Sequence, residues 1–165
     1  MSTETPAFIV RAATSADAPQ LGKLAALLVE THYAFDAQRF LPVTDRTQTE
    51  YGAFLARQLN DPNVVLLVAE EHGEMQGYAY ATVEGYDYQS LRGPAGVLQD
   101  LIVEAEVRGR GVGSHLLEAI LSELKSRGVS QVVLSTAAQN EGARRLFARA
   151  GFRPTMIEMT RDLDK

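Results

Sequence analysis

Cysteine is absent from the 165 residues. That excludes a disulfide framework, a thiolate-bound metal and a cysteine nucleophile. Long apolar runs are missing too, none approaching the roughly 20 residues that a membrane-spanning helix needs. The first residues, Met1 to Pro6, lack the basic-then-apolar layout of a secretory signal. The expected compartment is the cytoplasm, with no membrane partner. Basic stripes are also missing, and the net charge is −5, so no nucleic-acid partner is expected. The acidic balance weakly favours cationic small substrates through steering. His32, His72 and His115 are unlinked and lack metal-ligand spacing, so no metal site is expected.

What is present is ordinary for a globular chain, with 45% hydrophobic and 22% charged residues. One domain over residues 1–165 is long enough to bury a real core. The most informative stretch starts with a Val-, Leu- and Ile-rich run, Val97-Leu-Gln-Asp-Leu-Ile-Val103, which reads as a buried strand. Arg108-Gly-Arg-Gly-Val-Gly113 follows, and then a helical face of Leu116, Leu117, Ile120, Leu121 and Leu124. Strand, glycine turn and helix together point several free backbone N–H groups at one spot, where the helix dipole adds partial positive charge. Glycine lets a ligand approach the backbone without meeting a Cβ. Guanidinium groups at Arg108 and Arg110 suit phosphate oxygens. The expected ligand is a pyrophosphate.

Two familiar phosphate loops do not fit. A P-loop requires a Gly-Lys-Ser/Thr that is missing, and the dinucleotide fingerprint requires glycine where Ser114 stands. Arg/Gln-x-x-Gly-x-Gly/Ala does fit, as Arg108-Gly-Arg-Gly111-Val-Gly113. On these residues the chain resembles the GNAT superfamily of acyl-CoA-dependent N-acetyltransferases, in which this loop holds the coenzyme A pyrophosphate. A second block, Asn140-Glu-Gly-Ala143-Arg-Arg-Leu146-Phe147-Ala-Arg-Ala-Gly151-Phe152, resembles the family's Asn-x-x-Ala-x-x-Leu-Tyr-x-x-x-Gly-Phe segment. By itself that block is a complete capped helix, with Asn140 at its start, an apolar stripe and Gly151 as its stop.

In chain order, Ala7–Ala12 reads as a strand, with Ser15 or Asp17 placed to cap a helix carrying Leu21, Leu24, Ala25, Leu28 and Val29. A second helix starts near Thr44 or Asp45 and carries Tyr51, Phe54, Leu55 and Leu59. Val64–Ala69 and Gln76–Val83 form a hairpin about His72-Gly73. After the glycine loop and its helix come a short strand at Gln131–Thr136, the Asn140 helix and a last strand around Thr155–Thr160. That order implies a mixed sheet with helices on both faces. The resemblance implies an α/β (α+β) fold, with a mostly antiparallel central sheet of about six to seven strands and about four helices.

The resemblance also implies a set of site residues. Leu101, Ile102 and Val103 lie where family members bond the pantetheine arm, and the Val103 N–H lies where the thioester carbonyl is polarised. Arg108, Gly109, Arg110, Gly111, Val112, Gly113 and Ser114 form the pyrophosphate loop, and Asn140, Ala143 and Phe147 flank the coenzyme. Acetyl-CoA is the implied co-substrate. The family often carries Tyr at the Phe147 position, as the acid that protonates the departing thiolate. Phenylalanine has no proton to give, although a thiol with pKa near 8.5 leaves tolerably as its anion. Asp100 is the candidate general base, while Glu30, Glu84 and Asp87 are candidates for the acceptor side. Tyr78 and Tyr80 share a strand face that is either core or acceptor wall. The expected reaction is acetyl transfer from acetyl-CoA to a primary amine, most simply of a small molecule, by direct attack in a ternary complex. A protein or peptide N-terminus is an alternative acceptor. A non-catalytic acyl-CoA-binding module is the rival that Phe147 favours. Relatives are often dimers, so a homodimer is a candidate assembly.

Overall fold

The computed structural model describes residues 7–164. Residues 1–6, read above as lacking a signal layout, lie outside the described residues. Strand β1 (Ile9–Ala12) leads through a 3₁₀ turn into helix α1 (Ala18–Phe35), followed by helix α2 (Thr47–Gln58). Strands β2 (Val64–Glu71) and β3 (Glu74–Glu84) form a hairpin, and β4 (Ala95–Val103) follows. Helix α3 (Val112–Ser126), strand β5 (Val132–Leu134) and helix α4 (Glu141–Arg149) complete the order. The sheet runs β1-β2-β3-β4-β5. Its first four strands pair antiparallel, and β4 pairs with β5 in parallel.

The two sheet faces bury separate clusters. Leu21, Leu24 and Leu55 of the first two helices cover Leu66, Val68, Tyr78, Tyr80 and Ile102. On the other face Leu116, Leu117, Ile120 and Leu124 of α3 cover Val65, Ala79, Ala81 and Leu98. Strand β2 is apolar on both sides because both sides are covered, which explains the unbroken run Val64–Ala69. Helices α1 and α2 cross almost backbone to backbone. A Cβ at Gly22 would lie 2.1 Å from the Gln48 carbonyl oxygen, so any side chain there would push α2 and its Tyr51 away from the sheet.

One register step shapes everything that follows. Tyr80 pairs with Asp100 and Ala81 with Leu98, leaving Gln99 as an extra residue on β4. Such a bulge reverses which face each following side chain takes. Leu98 therefore packs with α3, whereas Asp100, two residues on, turns to the opposite face beside Tyr51 and Tyr78.

The sequence reading departs from this structure at the chain's end. Thr155–Thr160, expected as a last strand, joins no ladder, so among the described residues the sheet has five strands rather than six to seven. A strand needs a neighbour to satisfy its backbone, and within one copy these residues lie against none.

Candidate active site

Glycine conformation builds the loop before α3. Gly111 adopts φ 85° immediately before the helix, in the left-handed region where a side chain is strained. The first backbone bond closing back onto the turn runs from the His115 N–H to the Gly111 carbonyl, at 3.0 Å. The N–H groups of Val112, Gly113 and Ser114 thus precede any helical acceptor and point out of the helix start. A Cβ at Gly109 would meet nothing within 4 Å. The glycines are not required by internal packing; they leave an open cradle that suits a diphosphate. Val112 itself is buried against the sheet, so it offers the cradle only its N–H. The Arg110 guanidinium bonds Glu71 at 3.1 and 3.0 Å, and Arg108 Nε donates to the Val103 carbonyl at 3.2 Å.

Next to the loop, β4 outruns its parallel neighbour. Pairing with β5 stops at Leu98–Leu134, while β4 continues to Val103. The direction of its free groups follows from the ladder. Glu104 N–H donates to the Gln76 carbonyl at 2.8 Å, which makes Gly77–Val103 a non-hydrogen-bonded antiparallel pair. Val103, and Leu101 two residues before it, therefore point N–H and C=O away from β3 into the open wedge. Ile102 differs from the expectation: its backbone faces β3 and its side chain is core.

A cavity of about 330 Å³ occupies this wedge. Its walls include Leu98, Gln99, Asp100 and Leu101 from β4, then Leu134, Ser135 and Thr136 after β5. Asn140, Ala143 and Phe147 line it from α4. Leu28, Val29 and His32 of α1, with Arg39, Phe40, Leu41 and Tyr51, close the opposite side. Asn140 sits there because it caps α4, its Oδ1 accepting the Ala143 N–H at 3.1 Å.

Asp100 is 8% exposed, and its Oδ2 accepts hydroxyls from Tyr51 at 2.8 Å and Tyr78 at 2.9 Å. The other buried carboxylate, Asp17, gives the contrast. Asp17 is gripped by Arg11 at 2.8 and 2.9 Å, which holds its pKa below the ordinary carboxylate range despite burial. Asp100 has, among the described residues, no paired cation. Desolvation lifts its pKa above the ordinary range, offset in part by the two phenols. Burial beside this carboxylate raises the pKa of both tyrosines, so they remain neutral donors. A buried carboxylate that is hydrogen-bonded, unpaired with a cation and open to a cavity is suited to accept a proton.

The sequence model of the Acetyltransferase (GNAT) family matches residues 26–152. The chain belongs to this family. Among GNAT relatives, the uncharacterized N-acetyltransferase YhfO of Bacillus subtilis is 31% identical over 102 residues, 61% of this chain and 66% of that protein. A mycothiol acetyltransferase of Clavibacter michiganensis is 35% identical over 60% of this chain but only 30% of its own length. The aminoalkylphosphonate N-acetyltransferase of Salmonella typhimurium is 28% identical over 72% of this chain and 77% of its own. The chain thus spans less than two thirds of the first two. In solved structures the fold recurs in a variant of the BH1408 protein of Bacillus halodurans, with TM-score 0.81, 23% identity and coverage of 94% and 99%. It recurs as well in a predicted acetyltransferase of Clostridium acetobutylicum crystallised with acetyl-CoA, with TM-score 0.69, 20% identity and coverage of 94% and 96%.

Within this GNAT fold the expected residues fall into two groups. Asp100, Leu101, Asn140, Ala143 and Phe147 all line the cavity, whereas Ile102, Val103 and the loop residues 108–114 are not part of its lining. Glu30, Glu84 and Asp87 do not line it. Glu84 and Asp87 instead share Arg92, at 3.3 and 3.5 Å, in a local loop cluster, and Glu30 is exposed on α1. Sequence reasoning missed Tyr51, His32 and Arg39 as wall residues. His32 Nδ1 lies 2.8 Å from the Leu28 carbonyl; a carbonyl only accepts, so Nδ1 carries the proton. A helical repeat places His32 and Tyr51 on a face but does not name the strand that the face meets, and Arg39 lies in the connection between α1 and α2, where no repeat applies. Tyr78 and Tyr80 share the α1/α2 face, as their alternation requires.

Proposed function

We propose that the chain transfers the acetyl group of acetyl-CoA to the primary amine of a small molecule, by direct attack in a ternary complex. The observation that carries this reading is Asp100, buried and without a paired cation, in a cavity walled by the part of β4 that runs on beyond its pairing with β5. The cradle suits the coenzyme's diphosphate, with Val112, Gly113 and Ser114 supplying N–H donors. Leu101 and Val103 offer backbone groups to the pantetheine arm.

An alkylammonium with pKa near 10.4 costs roughly 4–5 kcal/mol to deprotonate at pH 7, at about 1.4 per pH unit. Asp100 takes that proton, directly or through one water, and its lifted pKa narrows the gap between donor and acceptor. The freed amine attacks the thioester carbonyl, and the Val103 N–H stabilises the oxyanion. The thiolate then leaves beside Phe147, which protonates nothing, and the proton remaining on the attacking nitrogen passes to water or to the departing sulfur; a leaving group of pKa near 8.5 needs no dedicated acid.

Arg39 supports a narrower acceptor class. Its side chain lines the cavity, and its guanidinium holds one carboxylate, that of Glu158, which an acceptor's anion would displace. An amine that also carries a carboxylate, phosphonate or phosphate would place its nitrogen near Asp100 and its anion on Arg39. The name of the Salmonella relative describes such a molecule, an amine joined to a phosphonate. The test is release of free coenzyme A thiol from acetyl-CoA with a panel of amines. Amine-dependent release with formation of the N-acetyl product supports transfer. Tight coenzyme binding with no acceleration by any amine supports a binding module instead.

A further inference from the structure

A second cavity, of about 390 Å³, lies beside the one that holds Asp100. Small-molecule sites run from about 300 to 1,000 Å³, and both cavities fall in that range. Val29, Leu41 and Tyr51 line the two in common, while Pro42 and Phe54 belong to the second alone. Tyr51 is the partition between them. Its hydroxyl bonds the carboxylate of the first cavity at 2.8 Å, and its ring meets the Phe54 ring of the second edge-on, with 6.0 Å between centroids.

The second cavity is mostly hydrocarbon. Leu41 is 80% exposed and Phe54 39%, so large apolar side chains stand open on the connection between α1 and α2 and on α2 itself. Grouped around a concavity, such side chains mark a ligand groove, as scattered exposed leucines do not. Thr47 and Glu50 complete the lining. The Thr47 hydroxyl accepts the Thr44 N–H at 2.9 Å, and Glu50 holds Arg46 at 2.5 Å. The one carboxylate among these lining residues therefore already has its cation. Arg39 lines the first cavity and not the second, so an anion at Arg39 and a hydrocarbon in the second cavity do not compete for one place.

We propose that the second cavity receives a hydrocarbon substituent of the acceptor, alkyl or phenyl, so that amines with an apolar tail are preferred over short amines and over diamines. The proposal rests on the transfer reading above for the position of the reacting nitrogen at Asp100. An amine there has Tyr51 beside it, and a chain that passes the Tyr51 ring reaches Val29, Leu41 and Phe54. Each methylene buried in this way is worth about three- to fourfold in binding.

The test compares propylamine, hexylamine and 1,5-diaminopentane, the last matching hexylamine in length but ending in a second ammonium. Saturation-transfer NMR titrations of the wild-type chain give dissociation constants without turnover, and thiol release gives kcat/KM. Hexylamine is expected to bind at least about tenfold more tightly than propylamine, and more tightly than the diamine, with kcat/KM in the same order. Leu41→Asp, at a position exposed enough to spare the fold, is expected to flatten the gain from propylamine to hexylamine and to favour the diamine. Phe54→Ser tests the same ratio from α2. A binding gradient without amine-dependent release upholds the hydrocarbon site and overturns the transfer reading alone. Amine-dependent release with equal binding and equal kcat/KM for propylamine and hexylamine overturns the proposal, leaves the transfer reading standing and assigns these apolar side chains to a macromolecular partner. A wild-type preference for the diamine also overturns it, as does a folded Leu41→Asp variant that keeps the wild-type gradient.

Discussion

The Tyr51 hydroxyl donates a 2.8 Å hydrogen bond to Oδ2 of Asp100, joining helix α2 to strand β4 across the face of the sheet. This bond and its companion from Tyr78 hold a carboxyl group in a place where, among the described residues, it has no ion-pair partner. Several measurable consequences follow from that arrangement.

Asp100→Asn separates stability from activity. Burial lifts the Asp100 pKa, so its contribution to stability is present below the unfolded pKa and is lost as the pH rises through the folded value. As the pH rises the wild-type chain thus comes to bury a carboxylate stabilised by two phenols but by no ion-pair partner among the described residues. The amide removes that charge and still accepts both phenols. Its melting temperature at pH 8 is expected to equal or exceed wild type, by about 2–4 °C for each kcal/mol recovered. Turnover is expected to fall by roughly 10²–10⁴. Calorimetric melts at pH 5 and pH 8 check the sign.

Tyr51→Phe and Tyr78→Phe move the pH dependence. Each hydroxyl bond lowers the Asp100 pKa, so each loss raises it further. The acid limb of kcat/KM is expected to shift to higher pH in both variants, with activity retained on the alkaline side. Losing a hydrogen bond to a charged group costs about 1.5–3 kcal/mol of stability. A pH–rate series for both variants, alongside urea unfolding, measures the two effects separately.

Arg39→Ala discriminates between acceptors. For an amine bearing a phosphonate or carboxylate, KM is expected to rise about tenfold, equivalent to about 1.4 kcal/mol. A neutral amine of similar length is expected to show little change. Paired kinetics on 2-aminoethylphosphonate and propylamine make the comparison, and equal effects on both would remove Arg39 from acceptor recognition.

Gly111→Val acts on the coenzyme. The backbone there has φ 85°, and an added Cβ would meet only the His115 ring, at 3.5 Å and beyond. The fold is expected to persist at a cost of about 1–2 kcal/mol for the left-handed conformation. The branched side chain stands where the diphosphate approaches, so calorimetry is expected to show acetyl-CoA affinity weakened by tenfold or more.

The parts legible in the sequence are those set by local rules. Gly109 and Gly111 announce a left-handed loop, Asn140 a helix cap, and His72-Gly73 a hairpin, because each depends on a few neighbouring residues. The Asp100 environment was only half legible. Its strand could be read, but the bulge at Gln99 that turns it toward Tyr51 depends on register with β3, which periodicity in one strand does not contain. Tyr51 itself comes from a helix 49 residues earlier in the chain. Glu84 and Asp87 lie outside the cavity lining for the opposite reason: their charges meet Arg92 locally, and nothing in the sequence marks them as paired. Thr155–Thr160 has a strand's pattern without a strand's partner, since a pattern states what a segment could pair with, not where the other strand lies.

The most direct measurement follows coenzyme A thiol release at saturating acetyl-CoA, with and without an amine panel, for the wild type and Asp100→Asn across pH 5–9. The account predicts amine-dependent release by the wild type, with an acid limb above the ordinary carboxylate range that vanishes along with most of the rate in the variant. Amine-dependent release by Asp100→Asn at the wild-type rate and with an unchanged profile would contradict it.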